Sequence, residues 1–291
     1  MNEIKVRGRA KINLSLDVLR RKEDGYHEVK MIMQQIDLYD EILLESRENG
    51  ILLETNCEFI PNNEGNIAYK AAKLMMDTFH IDKGIQIYIH KNIPVAAGLA
   101  GGSTDAAAVM IGLNKLWKIG ATKKELMDLS IQLGADVPFC ILEGAALAEG
   151  IGEKLTSIEG LDQWVVLCKP NISVSTASVY KALDVNHIEK HPETDKILKA
   201  LENKDVQTVV ENLCNVLEPV TEGMHPIVRD IKRKMVAYHA LGSLMSGSGP
   251  TVFGIYKDYT KAKNAYENLS KVYNQIYLVK TYDGKDGYAN E

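Results

Sequence analysis

The chain is poor in cysteine, and the little it has follows no pairing pattern. Cys57, Cys140, Cys168 and Cys214 are scattered over 291 residues with no CxxC pair. That argues against a disulfide framework or a zinc site and fits reduced thiols in the cytoplasm. No apolar run approaches membrane-spanning length. The opening Met1-Asn2-Glu3-Ile4-Lys5-Val6 lacks the apolar core of a secretory signal. Basic excess is missing too: the net charge is −5, so there is no global footprint for nucleic acid. Neither an internal repeat nor a low-complexity tract is visible. These absences point to no nucleic-acid and no membrane partner, with a local basic cleft remaining possible. They leave open whether the chain is a monomer or a homodimer. An apolar share of 45% with 25% charged residues is that of a globular protein, long enough for one large domain or two ordinary ones.

What is present centres on one stretch, Lys91-Asn92-Ile93-Pro94-Val95-Ala96-Ala97-Gly98-Leu99-Ala100-Gly101-Gly102-Ser103-Thr104. Before it, Ile85, Ile87 and Ile89 alternate with Gln86, Tyr88 and His90, which reads as a half-buried strand. After it, Ala106 to Trp117 reads as a helix with Val109, Met110, Leu113 and Trp117 on its apolar face. Strand, small-residue loop, helix is an arrangement in which backbone N–H groups and the helix N-terminus can cradle a phosphate. Ser103 and Thr104 are expected at the helix cap, and Lys91 could add a full charge. The loop is not a Walker A motif, because no Lys follows the glycines before Ser/Thr, and its glycine spacing is not the dinucleotide fingerprint.

Taken in order, Ile4 to Leu19 reads as strand. Val6, Ile12, Leu14, Leu16 and Val18 form one alternating set, and Arg7, Arg9 and Lys11 share the opposite face. Those cations either are solvated surface or point into an anionic site. Asp24-Gly25 signals a hairpin turn, with Tyr26 and His27 just beyond it as plain strand or ligand contacts. Val29 to Leu44 reads as strand interrupted at Asp37 to Glu41, with a short strand at Ile51 to Leu53. Ile67 to Phe79 reads as a helix after the Pro61 to Asn66 loop. Thr122 to Glu125 is a capping box that opens a helix to about Leu133, stopped by Gly134. Asp136 follows at a helix-to-strand junction, either a surface turn aspartate or a partly buried base. Residues 149–153 read as loop. The pattern restarts near 155–162, giving two expected domains, 1–158 and 159–291. In the second, Trp164 to Lys169 is a strand and 174–183 a helix with Ser/Thr at its start. Residues 194–217 and 225–239 are helical, and Leu241 to Gly254 is a second glycine-rich loop feeding a strand. A helix at 260–270 and a strand at 276–281 close an α+β chain.

Together these stretches resemble the GHMP kinase superfamily: Pro94 to Ala107 looks like its central motif and Gly247-Ser248-Gly249 like its third. Three further runs carry a narrower resemblance: Arg9-Ala10-Lys11-Ile12-Asn13-Leu14, Asp24-Gly25-Tyr26-His27 and Gly134-Ala135-Asp136-Val137-Pro138-Phe139. They are similar to the branch that phosphorylates the 2-hydroxyl of 4-diphosphocytidyl-2-C-methyl-D-erythritol on the methylerythritol phosphate route to isoprenoids. The resemblance covers nearly the whole chain. It implies an α+β, two-domain fold, with an N-terminal half like domain 2 of ribosomal protein S5 and a ferredoxin-like C-terminal half. It implies ATP as co-substrate, held by Lys91 and the loop from Pro94 to Thr104, with Mg2+ carried on the ATP and no dedicated metal site. By the same resemblance Asp136 is the base and Lys11 its catalytic partner, while Asn13, Tyr26, His27 and Tyr180 hold the cytidine substrate. Ala96 and Ala100 stand where relatives often have glycine, so ordinary backbone is expected there. A kinase for another small alcohol, and a catalytically silent sensor or RNA-binding module on the same scaffold, are the alternatives.

Overall fold

The computed structural model describes residues 2–23 and 25–285. The N-terminal part runs β1 (Glu3–Arg21), β2 (His27–Arg47), β3 (Ile51–Thr55), α1 (Ile67–Phe79), β4 (Gly84–His90), α2 (Gly101–Leu116), α3 (Lys123–Ser130), α4 (Val137–Leu142), β5 (Ala145–Gly150) and β6 (Lys154–Ser157). There follow β7 (Trp164–Lys169), α5 (Thr176–Ala182), α6 (Thr194–Glu202), α7 (Val206–Glu211), β8 (Cys214–Asn215), α8 (Glu218–Met224), α9 (Ile227–Ala237), β9 (Gly242–Met245), β10 (Val252–Tyr256), α10 (Tyr259–Ser270) and β11 (Gln275–Lys280). Strands β3-β4-β2-β1-β8 form one sheet, extended by β5 on β2 and β6 on β5; β11-β7-β10-β9 form a second. Six of the seven strands of the first sheet lie before residue 158, and the second sheet begins at 164. The two-residue strand β8 crosses back to pair with β1 in parallel.

The long hairpin β1–β2 serves two cores. A regular strand would keep Val6, Ile12, Leu14, Leu16 and Val18 on one face. Instead the β1–β2 register shifts between Arg9 and Lys11 and again between Asn13 and Ser15. Val6, Leu16 and Val18 pack with the helices α1 and α2. Ala10, Ile12 and Leu14 pack with Val165, Leu167 and Phe253 of the second sheet. Such irregularities re-aim side chains, and here they split the predicted cationic face. Arg9 stacks on Tyr282 and pairs with Asp37, and Arg7 lies over Tyr39, whereas Lys11 turns into a cleft. The break expected at Asp37 to Glu41 is likewise a register shift within a continuous β2. Of the predicted Asp24-Gly25 turn, Asp24 lies outside the described residues; Gly25 has φ 87° and donates its N–H to Lys22 O at 3.1 Å.

Helix limits follow their caps. Asn66 accepts from the Ala68 N–H and opens α1 as predicted, and Thr122 and Glu125 form the reciprocal capping box of α3. Helix α3 ends at Ser130, earlier than Leu133, and continues as turns; Gly134 takes no left-handed φ. Residues 137–142 are helix rather than strand, with Pro138 in the first turn, where its missing N–H costs nothing. The predicted loop at 149–153 is the tight link of the β5–β6 hairpin. The 194–217 stretch divides into α6, α7 and β8. Helix α2 is buried almost all round from Thr104 to Leu113, beyond the one-sided face expected. Its run of Ala106, Ala107 and Ala108 lets β1, α1 and α4 approach closely.

Candidate active site

Between the β1–β2 hairpin, the glycine-rich loop and α5 lies a cleft of about 1670 Å³, larger than the ~300–1,000 Å³ of a single-ligand pocket and so roomy enough for two substrates. Its floor is the glycine-rich loop. The loop alternates left-handed residues: Ala96 at φ 51°, Gly98 at 75° and Ala100 at 60°. This corrects the expectation of ordinary backbone at the two alanines; the tight path overrides the Cβ penalty there. Helix α2 starts at Gly101 with Ala100 as its cap, five residues earlier than predicted, and has no side-chain cap. Its first-turn N–H groups are therefore left for a ligand. Ser103 and Thr104 accordingly lie inside the first turns, not at the cap. Ser103 lines the cleft, while the Thr104 hydroxyl is buried and donates to Arg9 O at 2.7 Å. Thr104 is thus a tie between α2 and β1, which corrects its assignment to the nucleotide.

The second glycine-rich loop, 246–251 between β9 and β10, closes on the first. Ser246 Oγ donates to Gly98 O at 3.0 Å. Asn215 Nδ2 donates to Met245 O and Gly247 O at 2.9 and 2.8 Å, and Thr221 Oγ1 to Ser248 O at 3.1 Å. The Ser248 hydroxyl meets Thr176 Oγ1 of α5 at 2.8 Å. None of Asn215, Thr221 or Thr176 is recognisable as loop support from the sequence, because each lies more than 25 residues from its partner.

Across the loop stand Lys11 and Asp136. Lys11 Nζ lies 3.8 Å from the Asp136 carboxylate and donates to Asn13 Oδ1 at 2.8 Å. Lys11 and Asn13 are buried in β1, and the Asp136 side chain is 33% exposed at the start of α4. The Asp136 carboxylate makes no capping bond to its own helix, so it faces the cleft. Its reading as a surface turn residue is thereby set aside.

The far end of the cleft carries Tyr26, His27 and Tyr180. The rings of His27 and Tyr180 lie 4.9 Å apart at 40°, while Tyr26 is 60% exposed at the rim. Burial, and then the charge of Arg21, holds His27 below its ordinary value, so its imidazole is neutral at pH 7 with one donor and one acceptor nitrogen. Burial raises the Tyr180 phenol, which stays protonated.

The Lys91 ammonium is buried beneath the loop, bonded to Asp40, to Asp105 Oδ2 at 2.8 Å and to Gly101 O at 3.4 Å. Lys91 also lines the cleft, so the full charge expected there stands at the loop but is shared with Asp40 and Asp105. Asp40 and Asp105 were missed. A lone acid at the head of the apolar run Ala106 to Met110 is the one signal that pointed to Asp105.

Glu143, at the end of the helix that Asp136 opens, is also buried in a left-handed conformation. Burial pushes its carboxyl up to about 7, against the opposing charges of Lys123, Arg9 and Lys115. A carboxyl raised on folding contributes stability that is full below its unfolded value near 4.5 and lost as pH rises through 7. The shift corresponds to roughly 3 kcal/mol. Glu143→Gln should therefore flatten the fall in stability between pH 5 and pH 8. Parallel unfolding curves for the two proteins over that range would show the carboxyl to be ionised throughout.

Two glycine-rich loops meeting beside a Lys–Asp pair, in one cleft of an α+β fold, define a small-molecule phosphotransferase. Residues 66–144 match the model of the GHMP kinases N terminal domain and residues 187–275 that of the GHMP kinases C terminal. The chain is 59% identical to the 4-diphosphocytidyl-2-C-methyl-D-erythritol kinase of Alkaliphilus metalliredigens, over 97% of this chain and 98% of that one. It is 56% identical to the kinase of the same name from Alkaliphilus oremlandii, over 98% of each. A crystal structure of 4-(cytidine 5'-diphospho)-2C-methyl-D-erythritol kinase superposes with a TM-score of 0.85 at 31% identity, covering 97% of this chain and all of the other. The chain belongs to the GHMP kinases and, among them, to the 4-diphosphocytidyl-2-C-methyl-D-erythritol kinase family.

Proposed function

We propose that the chain transfers the γ-phosphoryl group of ATP to the 2-hydroxyl of 4-diphosphocytidyl-2-C-methyl-D-erythritol, forming ADP and the 2-phosphate, with residues 1–158 and 159–291 as its two domains. The observation that carries the mechanism is the Asp136 carboxylate 3.8 Å from Lys11 Nζ, facing the glycine-rich loop. Asp136 takes the hydroxyl proton as that oxygen attacks the γ-phosphorus, and the bond to the ADP oxygen breaks. Lys11, fixed by Asn13, offsets charge on the transferring group. Phosphoryl transfer asks mostly for positioning of this kind. The loop backbone from Pro94 to Gly102, the first-turn N–H groups of α2 and Ser103 hold the triphosphate.

Mg2+ fits this site as an ion carried by the nucleotide. Among the described residues no cluster of three or more acidic, His or Cys side chains could hold a metal. The cleft offers the Asp136 carboxylate and the Ser103 hydroxyl, and Mg2+ is commonly held by one or two protein groups, phosphate oxygens and water. When bound, it neutralises phosphate charge.

Tyr180, with His27 packed against it, gives the cytosine a flat face, and Tyr26 closes from the rim; the neutral His27 reads the base edge. His27→Ala should raise KM for the cytidine substrate about tenfold or more and leave KM for ATP within about twofold. Equal effects on both would refute the role. Four free cysteines, three of them buried, accord with a reducing cytoplasm. No helix among the described residues is long and apolar enough to cross a membrane. The decisive experiment is ADP release with Mg-ATP, comparing the cytidine substrate with homoserine and mevalonate. Release with the cytidine substrate alone supports the proposal; release with another alcohol discards the cytosine pocket but keeps the Asp136–Lys11 chemistry.

A further inference from the structure

The buried groups beneath the glycine-rich loop have no part in the chemistry just described. Lys91, Asp40 and Asp105 come from three separate elements: the lead-in to the loop, the middle of β2 where it pairs with Gly8 of β1, and the second turn of α2. Asp40 and Asp105 are 0% and 2% exposed, and the Lys91 side chain 7%. Asp40 Oδ1 accepts from the backbone N–H groups of Asn92 and Ile93 at 2.6 and 2.8 Å, and its other oxygen accepts from Lys91. It thus fixes the chain two residues before Pro94. Lys91 also reaches Asp105 Oδ2 at 2.8 Å and Gly101 O at 3.4 Å, which ties the first turn of α2 to the same ammonium.

The charges do not balance if both acids are ionised. One ammonium faces two carboxyl groups that are at most 2% exposed, at the edge of the cleft that Lys91 and Asp105 also line, and an uncompensated buried charge is costly. Asp105 Oδ1 finds no donor among the described residues, while Asp40 and Asp105 both close on the one Lys91 ammonium, so the two carboxyl groups are neighbours. A proton on Asp105 turns that repulsive contact into a donated bond, as in other sites where two carboxyls share one place. Asp40, already accepting from two backbone N–H groups and Lys91, is the partner that keeps its charge. The net charge under the loop is then zero. That suits a loop whose ligand is a polyanion, since a surplus negative charge there would oppose the triphosphate.

We propose that Lys91, Asp40 and protonated Asp105 form a neutral strap that positions the glycine-rich loop and the start of α2 for the triphosphate of ATP, with Asp105 its positioning residue. The strap rests on the kinase reading only for the identity of the nucleotide. Its test is therefore binding of Mg-ATP without acceptor, by isothermal titration, with cytidine diphosphate as the control ligand. Loss of turnover on the cytidine substrate would count against the proposed function and not against the strap.

Asp105→Asn keeps the shape and the neutral charge, and its amide can still donate to Asp40 and accept from Lys91. It should bind ATP within about threefold of wild type. Asp105→Ala leaves Lys91 and Asp40 with a gap and should weaken ATP about tenfold, with the affinity for cytidine diphosphate unchanged. The infrared difference spectrum, wild type minus Asp105→Asn, should contain a protonated carboxylic acid C=O band at pH 7. An Asp105→Asn protein as weak for ATP as Asp105→Ala would show that the strap needs a second negative charge, and would overturn it. So would wild-type affinity in Asp105→Ala, equal weakening of both ligands, or a difference spectrum with only carboxylate bands. The spectrum needs only wild type and Asp105→Asn, so it decides the protonation state even where Asp105→Ala does not fold.

Discussion

Asp136→Asn is expected to lower kcat by about 10³-fold while the affinity for ATP changes less than about twofold. The amide has the shape of the carboxylate and keeps an oxygen facing Lys11, but it cannot take a proton from the acceptor hydroxyl. Structural side effects should be small. Asp136 opens α4 without a side-chain capping bond, and its side chain is one-third exposed. The loss should therefore appear in the chemical step, read by single-turnover kinetics, and not in the unfolding temperature. Near wild-type turnover would mean that the hydroxyl loses its proton elsewhere. Lys11 would then remain as an electrostatic partner only.

The second large effect is expected at Gly98, where the two glycine-rich loops touch. Gly98 sits at φ 75°, and a Cβ there would stand 2.3 Å from Ser246 O, 3.1 Å from Gly249 O and 3.2 Å from Gly249 N. All three obstacles are backbone, so no side chain can swing aside. Gly98→Ala therefore forces the loops apart and breaks the bond from Ser246 Oγ to Gly98 O. The cost combines the left-handed penalty with the clash, about 3 kcal/mol or more. Unfolding should shift down by several degrees, and KM for ATP should rise by about tenfold or more, because the loop no longer holds its path. Unchanged stability and unchanged KM would show that the loops do not meet in the working protein. Ala96 and Ala100, left-handed but already bearing a Cβ, show that the loop tolerates the left-handed penalty itself at these positions.

Much of this architecture is legible along the chain because it depends on local rules. Asn66 and the Thr122–Glu125 box mark helix starts through bonds that close within three residues. Ile85, Ile87 and Ile89 mark β4 through a period of two. The misreadings have equally physical causes. The four small residues among the five before Ser103 conceal the start of α2, since Gly101 and Gly102 are poor helix formers that lie against Ile93 and Ile67. Periodicity assigned Arg7, Arg9 and Lys11 to one face because a register shift leaves no mark in composition. The sequence hides the partners of Lys91 because its two acids lie 51 residues before it and 14 after it.

What the sequence determined by itself was the set of parts: a small-residue loop between a strand and a helix, a second glycine-rich loop, an isolated aspartate and a Tyr-His pair. Tertiary structure alone decided which parts face each other. The two register shifts in β1 turn Lys11 and Asn13 into the cleft while Arg9 goes to Tyr282. The contact between Gly98 and Ser246 closes the two loops into one floor. Lys91 goes under that floor because burial leaves an ammonium stable only beside its carboxylates, and only the fold brings Asp40 and Asp105 to it.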